Sequence, residues 1–343
     1  MSHSSNLRTV WIAGVAVASG LALTMTGCSS DSGGSASGGK KVAAVVKGLD
    51  NPFFQSMESG INDQAATDKV DVTVQAANSI TDTTGQADKL TGLANQDFGC
   101  FIVNPITGTN MIQGVAALSA KNIPIVNIDS PMDADAAKAA NAKIATYIGT
   151  DNTDAGAQGA GQMAKLLPAG GKIALIGGTA GDVTSAARLD GFTKAAPPNF
   201  TIISTVAADW ERQMALTKAT DIMTANPDLA AFFVANDDMG LGVAQAISNS
   251  GKTGQVKVIS VDGNKDAFEA IKAGTVDAVV AQFPYVIGAM GVEACAAALA
   301  GKTLPENVKA PVQVVTKDNV DAALSAAPKP AAPYEDPFAE LLK

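Results

Sequence analysis

The stretch KVAAVVKGLDNPFF, Lys41 to Phe54, decides the fold. Val42 to Val46 is an unbroken apolar run of strand length, and Lys47 ends it with a charge. Asn51 is placed as the N-cap of a following helix, with Pro52 at the first helical position, where its missing N–H costs nothing. A strand apolar at every position is buried on both faces, as in a parallel sheet covered by helices. The pattern recurs: apolar runs at Val70 to Ala76, Cys100 to Val103, Ile123 to Ile128, Ile173 to Ile176, Ala230 to Val234, Val256 to Val261 and Val276 to Ala281 alternate with Ala-rich helical stretches. Such alternation gives α/β layers with right-handed crossovers. About 300 folded residues is a two-domain length. Nothing between 41 and 315 reads as a long linker, whereas residues 325–343 turn rich in Pro and Ala and read as a flexible tail.

Six of the apolar runs finish on a polar side chain: Lys47, Asn104, Asp129, Asn236, Asp262 and Gln282. In open α/β sheets a ligand binds beyond the carboxyl ends of the strands, where loops from several crossovers converge. Any single Asn or Asp at such a place is accounted for by capping the next helix. Capping does not account for Lys47 or Gln282, and the six together form a rim of amides, carboxylates and one cation around a crevice. Those groups match hydroxyls: a carboxylate accepts from two, an amide gives and accepts, and a cation donates.

Aromatic residues add apolar faces. Phe53 and Phe54 stand in the first turn of the helix opened by Asn51, where they either pack into the core or face the crevice. Trp210 lies outside any apolar run, in the polar strand-to-helix junction Ala208-Asp209-Trp210-Glu211, and reads as a platform for the apolar face of a ring ligand. Beyond residue 28 the chain has only two arginines, Arg188 and Arg212. Lysine fills nearly every other basic position. Arg188, inside an Ala-rich helix, therefore suggests a need for the planar five-donor fork.

The N-terminal residues carry a different message. Arg8 precedes an apolar run from Val10 to about Met25, roughly sixteen residues and short for a membrane span. Small residues follow, then Cys28. The arrangement resembles a bacterial lipoprotein signal, with 1–27 removed and the Cys28 thiol acylated, and residues 28–40 as a Gly/Ser tether. An uncleaved anchor or an ordinary secretory signal with a chance cysteine fits the same residues. Cleavage would take away His3, the chain's one histidine, which excludes Ser-His-Asp and Cys-His chemistry and the commonest metal ligand. Neither metal nor cofactor is expected. Of the three cysteines, Cys100 and Cys295 sit in apolar surroundings and read as two buried thiols rather than a disulfide. The 24 Lys+Arg include Arg8, so 23 remain against 33 Asp+Glu, a balance of −10. That balance argues against nucleic acid and points to a neutral or cationic ligand. Gly251-Lys252-Thr253 and Gly301-Lys302-Thr303 lack the upstream glycine of a phosphate loop and lie where helices end.

Taken in order, Asn51-Pro-Phe-Phe, Asn104-Pro105, Asp129, Thr184 to Phe192 with Arg188, Asp209-Trp210, Asn236-Asp237, Val261-Asp262-Gly263 and Ala281-Gln282 resemble the ribose-binding branch of type I periplasmic solute-binding proteins, over residues 41 to 316. The resemblance implies two doubly wound parallel-sheet lobes joined by a three-crossover hinge, near 150–152, 282–283 and 313. It divides the chain into an N-terminal lobe of 41–150 plus 283–313 and a C-terminal lobe of 151–282 plus 314–324. It further implies a sugar site lined by Lys47, Asn51, Phe53, Phe54, Asn104, Asp129, Arg188, Trp210, Asn236, Asp262 and Gln282, and an ABC-type permease as partner of a monomeric, lipid-anchored protein at the extracytoplasmic face of the membrane. Two departures bear on specificity: Ser130 stands where ribose binders carry an arginine, and Lys47 where they carry a small hydroxyl residue. A pentose, a hexose or a polyol remains open, and closure of the lobes, not catalysis, is the expected output. Alternatives are a sensor presenting sugar to a signalling receptor and a glycoside hydrolase using Asp129 and Asp262.

Overall fold

The computed structural model describes residues 41–343; the Cys28 signal and the tether lie outside the described residues. The first half runs β1 (Lys41–Val46), α1 (Pro52–Asp68), β2 (Asp71–Ala76), α2 (Thr83–Ala94), β3 (Cys100–Val103), α3 (Ile112–Ala120), β4 (Ile125–Ile128), α4 (Ala134–Ala139) and β5 (Thr146–Gly149). The second runs α5 (Asn152–Leu166), β6 (Gly171–Gly177), α6 (Val183–Ala195), β7 (Phe200–Ala207), α7 (Arg212–Ala225), β8 (Leu229–Val234), α8 (Asp237–Asn249), β9 (Lys257–Asp262), α9 (Lys265–Ala273) and β10 (Ala278–Gln282). Then come α10 (Pro284–Leu299), β11 (Asn307–Lys309), β12 (Val312–Thr316), α11 (Val320–Ala326) and α12 (Pro337–Leu341).

These elements build two six-stranded sheets of identical wiring, β11-β5-β4-β3-β1-β2 and β12-β10-β9-β8-β6-β7. Every pairing is parallel except that of β12, which runs antiparallel to β10. In each sheet the second strand of the lobe joins one side of the first and the third strand joins the other, which creates a switch point and a crevice at the strands' carboxyl ends. Central strands are buried and largely apolar, as in Val42–Val46 and Ala278–Ala281, because helices cover both faces. β2 departs from the expectation of full burial: it is an edge strand, half-exposed, and so carries Asp71, Thr73 and Gln75. β7 is the matching edge of the other sheet.

The chain passes between lobes at Thr150–Asp151, at Phe283 and at Ala310–Pro311, where β11 of the first sheet gives way to β12 of the second. The last passage comes slightly before the expected boundary at Gln313, because Val312 and Gln313 already pair with β10. Although it follows β10, α10 belongs to the first lobe. It packs on α1, β3, β4 and β5, and the α1 contact is so close that a Cβ at Gly60 would lie 2.0 Å from the Tyr285 carbonyl oxygen.

Two expectations are corrected here. Cys100 on β3 and Cys295 on α10 are joined in a disulfide across a sequence separation of 195 residues, with Cα atoms 5.7 Å apart. Both side chains are fully buried, so apolar surroundings did not distinguish thiols from a bridge. Residues 325–343 are not a loose tail. After α11, which packs on α9, the chain returns to the first lobe and sets α12 against α10. Phe338 is fully buried there. Asp336 caps α12 by accepting from the Phe338 and Ala339 N–H groups, with Pro337 at the first helical position. Glu293 of α10 is buried beside Asp336, and burial together with that carboxylate pushes its pKa to about 9. Among the described residues no helix is long and apolar enough to cross a membrane.

Candidate functional site

A cavity of about 380 Å³ lies between the lobes at the carboxyl ends of the strands, within the size range of small-molecule sites. On the first lobe, Lys47 leaves the end of β1 and Asp129 the end of β4. Lys47 Nζ donates to Ser130 Oγ at 2.7 Å, and Ser130 Oγ donates to Asp129 Oδ2 at 3.2 Å. The ammonium also lies 5.4 Å from the centre of the Phe54 ring. Asp129 has φ 60°, a left-handed conformation that is costly for a non-glycine residue. The Tyr147 hydroxyl braces it, donating to the Asp129 carbonyl at 2.6 Å.

Asn51 caps α1 through Oδ1, which accepts from the Phe53 N–H at 2.9 Å. Asn236 caps α8 in the same way, accepting from the Met239 N–H at 3.0 Å. Capping and ligand binding are therefore not rival roles. Each cap uses the amide oxygen and leaves the NH2 group without a partner among the described residues, at the edge of the cavity. Phe53 and Phe54 are both buried, pack edge to face with centroids 5.1 Å apart, and both line the cavity, so they serve core and site together.

On the second lobe Arg188 organises the wall. Its Nε donates to Asn152 Oδ1 at 2.8 Å, and its Nη1 donates to the Ala235 carbonyl at 2.6 Å and to Asp262 Oδ1 at 3.3 Å. The guanidinium is 4% exposed as a residue. Its Nη2 has no partner among the described residues, which leaves two N–H donors for a ligand. The placement depends on close approach of α5 and α6: a Cβ at Gly156 would fall 2.0 Å from the Arg188 carbonyl oxygen. Trp210, with φ 65°, turns its indole over Gly178, where a Cβ would lie 2.0 Å from Cε2. The Arg188 guanidinium carbon is 5.9 Å from the indole ring centre.

Asp262 Oδ1 accepts from both Arg188 and Gln282 Nε2, the latter at 2.7 Å. Burial pushes its pKa to about 6, against the opposing pull of Arg188 and the Gln282 amide and with help from the charge on Asp129. Burial also raises the Asp129 carboxyl, against the pull of Lys47 and Arg188. Half-buried Lys47 and buried Arg188 thus face the buried carboxylates of Asp129 and Asp262, with Asp182 also in the lining. With cations and carboxylates already set against one another, the wall suits an uncharged, hydroxyl-bearing occupant better than an ion.

Nine of the eleven expected positions line the cavity: Lys47, Asn51, Phe53, Phe54, Asp129, Arg188, Trp210, Asn236 and Asp262. Asn104 and Gln282 lie behind the wall. Asn104 is fully buried, with its Nδ2 3.4 Å from Met57 Sδ, and Gln282 orients Asp262. Their Oδ1 and Oε1 atoms are buried without a partner among the described residues. The sequence reading missed Asn152, which sits at the lobe crossing and aims Arg188, and the rim hydroxyls of Thr81, Thr107 and Thr184. Among the described residues no group of three His, Cys, Asp or Glu is placed to hold a metal.

The sequence profile of the periplasmic binding protein domain matches residues 42–303. A D-allose-binding periplasmic protein of Escherichia coli is 38% identical over 77% of this chain and 86% of its own length. A ribose import binding protein of Bacillus subtilis is 32% identical over 82% and 90%. Among solved structures, an ABC transporter periplasmic solute-binding protein from Actinobacillus succinogenes with bound D-allose superposes with a TM-score of 0.79 at 29% identity, covering 82% of this chain and 99% of that one. By the profile match and by relatives of this similarity, the chain belongs to the periplasmic binding protein family.

Proposed function

We propose that this protein captures a small neutral sugar or polyol between its lobes and delivers it to an ABC-type permease, working as a monomer held at the extracytoplasmic face of the membrane through a lipid on Cys28. One observation carries the reading. A single cavity draws Lys47 and Asp129 from one lobe and Arg188, Asp262, Asn236 and Trp210 from the other, so a ligand bonded to both walls stabilises the closed arrangement by its differential affinity for it. Relatives named for D-allose and ribose make these the first sugars to test. Closure is the output: amides and cations surround both carboxylates, an arrangement suited to holding hydroxyls.

About eight hydrogen bonds and one stacked ring face are enough for roughly micromolar affinity, about 8 kcal/mol. The test is a titration of the protein with pentoses, hexoses, polyols and, as controls, sugar phosphates and amino acids. Trp210 emission and melting temperature are the readouts, and melting should rise with the concentration of the true ligand. Indifference to every neutral sugar and polyol would remove the proposal, as would preference for a phosphorylated compound.

A further inference from the structure

We infer that Asp237 is a positioning residue for Asp262, clamping the β9–α9 turn in the backbone conformation that brings the Asp262 carboxylate to Arg188 and the cavity; the inference rests on the sugar-capture reading. Asp237 is fully buried at the start of α8 and does not line the cavity. Its carboxylate reaches sideways to the neighbouring strand. Oδ2 accepts from the Gly263 and Asn264 N–H groups at 2.7 Å each, and Oδ1 accepts from the Ser260 hydroxyl at 2.5 Å. The three donors straddle Asp262, two residues before it and one and two after.

The turn needs such a clamp. Asp262 has φ 139° and Gly263 φ 95°, so consecutive residues hold conformations that side-chain-bearing residues rarely adopt. Asn264 stands at the N-cap of α9 without a side-chain capping bond of its own. Asp237 supplies, from the neighbouring α8, an acceptor for the Gly263 and Asn264 N–H groups, which would otherwise be left without one. The arrangement has a cost, since burial and the nearby Asp262 charge both push the Asp237 carboxyl well above its usual range. A buried carboxylate beside another is retained here with all three of its donors in place. Asp237→Asn keeps the shape but turns an N–H group toward at least one of those donors, and the turn is then free to relax.

The test is a double-mutant cycle on sugar affinity with Asp237→Asn, Asp262→Ala and the pair, using the sugar that the wild type binds in the panel above. Asp237→Asn should weaken binding about tenfold and Asp262→Ala about a hundredfold, while the double variant should match Asp262→Ala within about twofold, because Asp237 acts only through Asp262. A purely structural role would multiply the two losses. Multiplied losses overturn the inference, as does unchanged affinity in Asp237→Asn. If Asp237→Asn does not fold, Ser260→Ala removes one of the three bonds without changing charge, and the same cycle is run with it. A wild type indifferent to all sugars sinks the capture reading and this inference together, whereas a binding wild type with an additive cycle sinks this inference alone.

Discussion

Replacing Arg188 by lysine keeps the positive charge and removes the fork. The native guanidinium spends Nε and Nη1 on Asn152, Ala235 and Asp262, and keeps Nη2 free of partners among the described residues. A lysine ammonium at the end of a flexible stem has three donors and no planar geometry, so it can satisfy Asp262 only by abandoning the ligand. Two charge-assisted hydrogen bonds to hydroxyls, each about 1.5 kcal/mol, are then lost, which sums to about 3 kcal/mol and raises Kd roughly 150-fold. The unliganded protein also loses its bonds to Asn152 and the Ala235 carbonyl, about 2 kcal/mol, and melts roughly 4–8 °C lower. Calorimetric titration with the bound sugar, paired with a melting curve of the ligand-free protein, separates the two effects. Affinity within about fivefold of wild type would refute the claim that the fork, rather than the charge, is what the site requires.

Three further outcomes follow from the geometry. Asp262, at about 6, and Asp129 titrate above the ordinary carboxylate range because they are buried. The stability that Asp262 contributes is therefore present below about pH 4 and is lost as pH rises through about 6, and Asp129 acts in the same direction. Sugar affinity should run the other way, falling below about pH 6 as Asp262 gives up its acceptor role; melting curves and titrations between pH 5 and 8 check both, and a flat affinity profile contradicts the assignment. Gly178→Ala places a Cβ 2.0 Å from Trp210 Cε2, so the indole must move: emission should shift and affinity fall about tenfold, or about 1.4 kcal/mol. Cys100→Ala with Cys295→Ala opens a disulfide that lies wholly within the first lobe, and should cost about 2–5 kcal/mol in denaturant unfolding. Sugar affinity should stay within about twofold, and a large change there would mean that the bridge bears on closure.

Continuous apolar runs made the central strands legible, since strands buried on both faces read that way; the alternating β2 was read with them and is a half-exposed edge. The strands left unread were those the signal does not reach. β7, FTIISTVA, is half-exposed at an edge, β5 is four residues long, β11 has exposed ends, and β12, VQVVT, is a half-exposed edge. Polar residues at strand ends located the site, but not the direction of each side chain. Successive residues point to opposite faces, and so Asn104 and Gln282 fell behind the wall while Lys47 and Asp129 reached the cavity. The Cys100–Cys295 bridge spans 195 residues and has no local signature. The docked end did have one. Asp336-Pro337-Phe338 repeats the cap, proline and buried phenylalanine of Asn51-Pro52-Phe53, hidden within a Pro- and Ala-rich composition. Asn152 and Asp237 act through other residues, and partners of that kind become visible only once the chain is folded.

The return of the C-terminus to α10 changes what the closure proposed above has to accommodate. Three crossings alone would let the halves swing with nothing but their own backbone to resist. Here α11 is fixed to one half and α12, through the buried Phe338, to the other. Rotation of one half against the other alters the span between those two fastenings, and the chain leaving α11 takes up the difference over few residues, because Lys329 already lies 5.4 Å from the Tyr285 ring centre on α10 and Tyr334 packs against the core. A chain advances at most about 3.3–3.6 Å per residue, so little slack remains, and the segment is a short tie that a large swing would have to peel from α10.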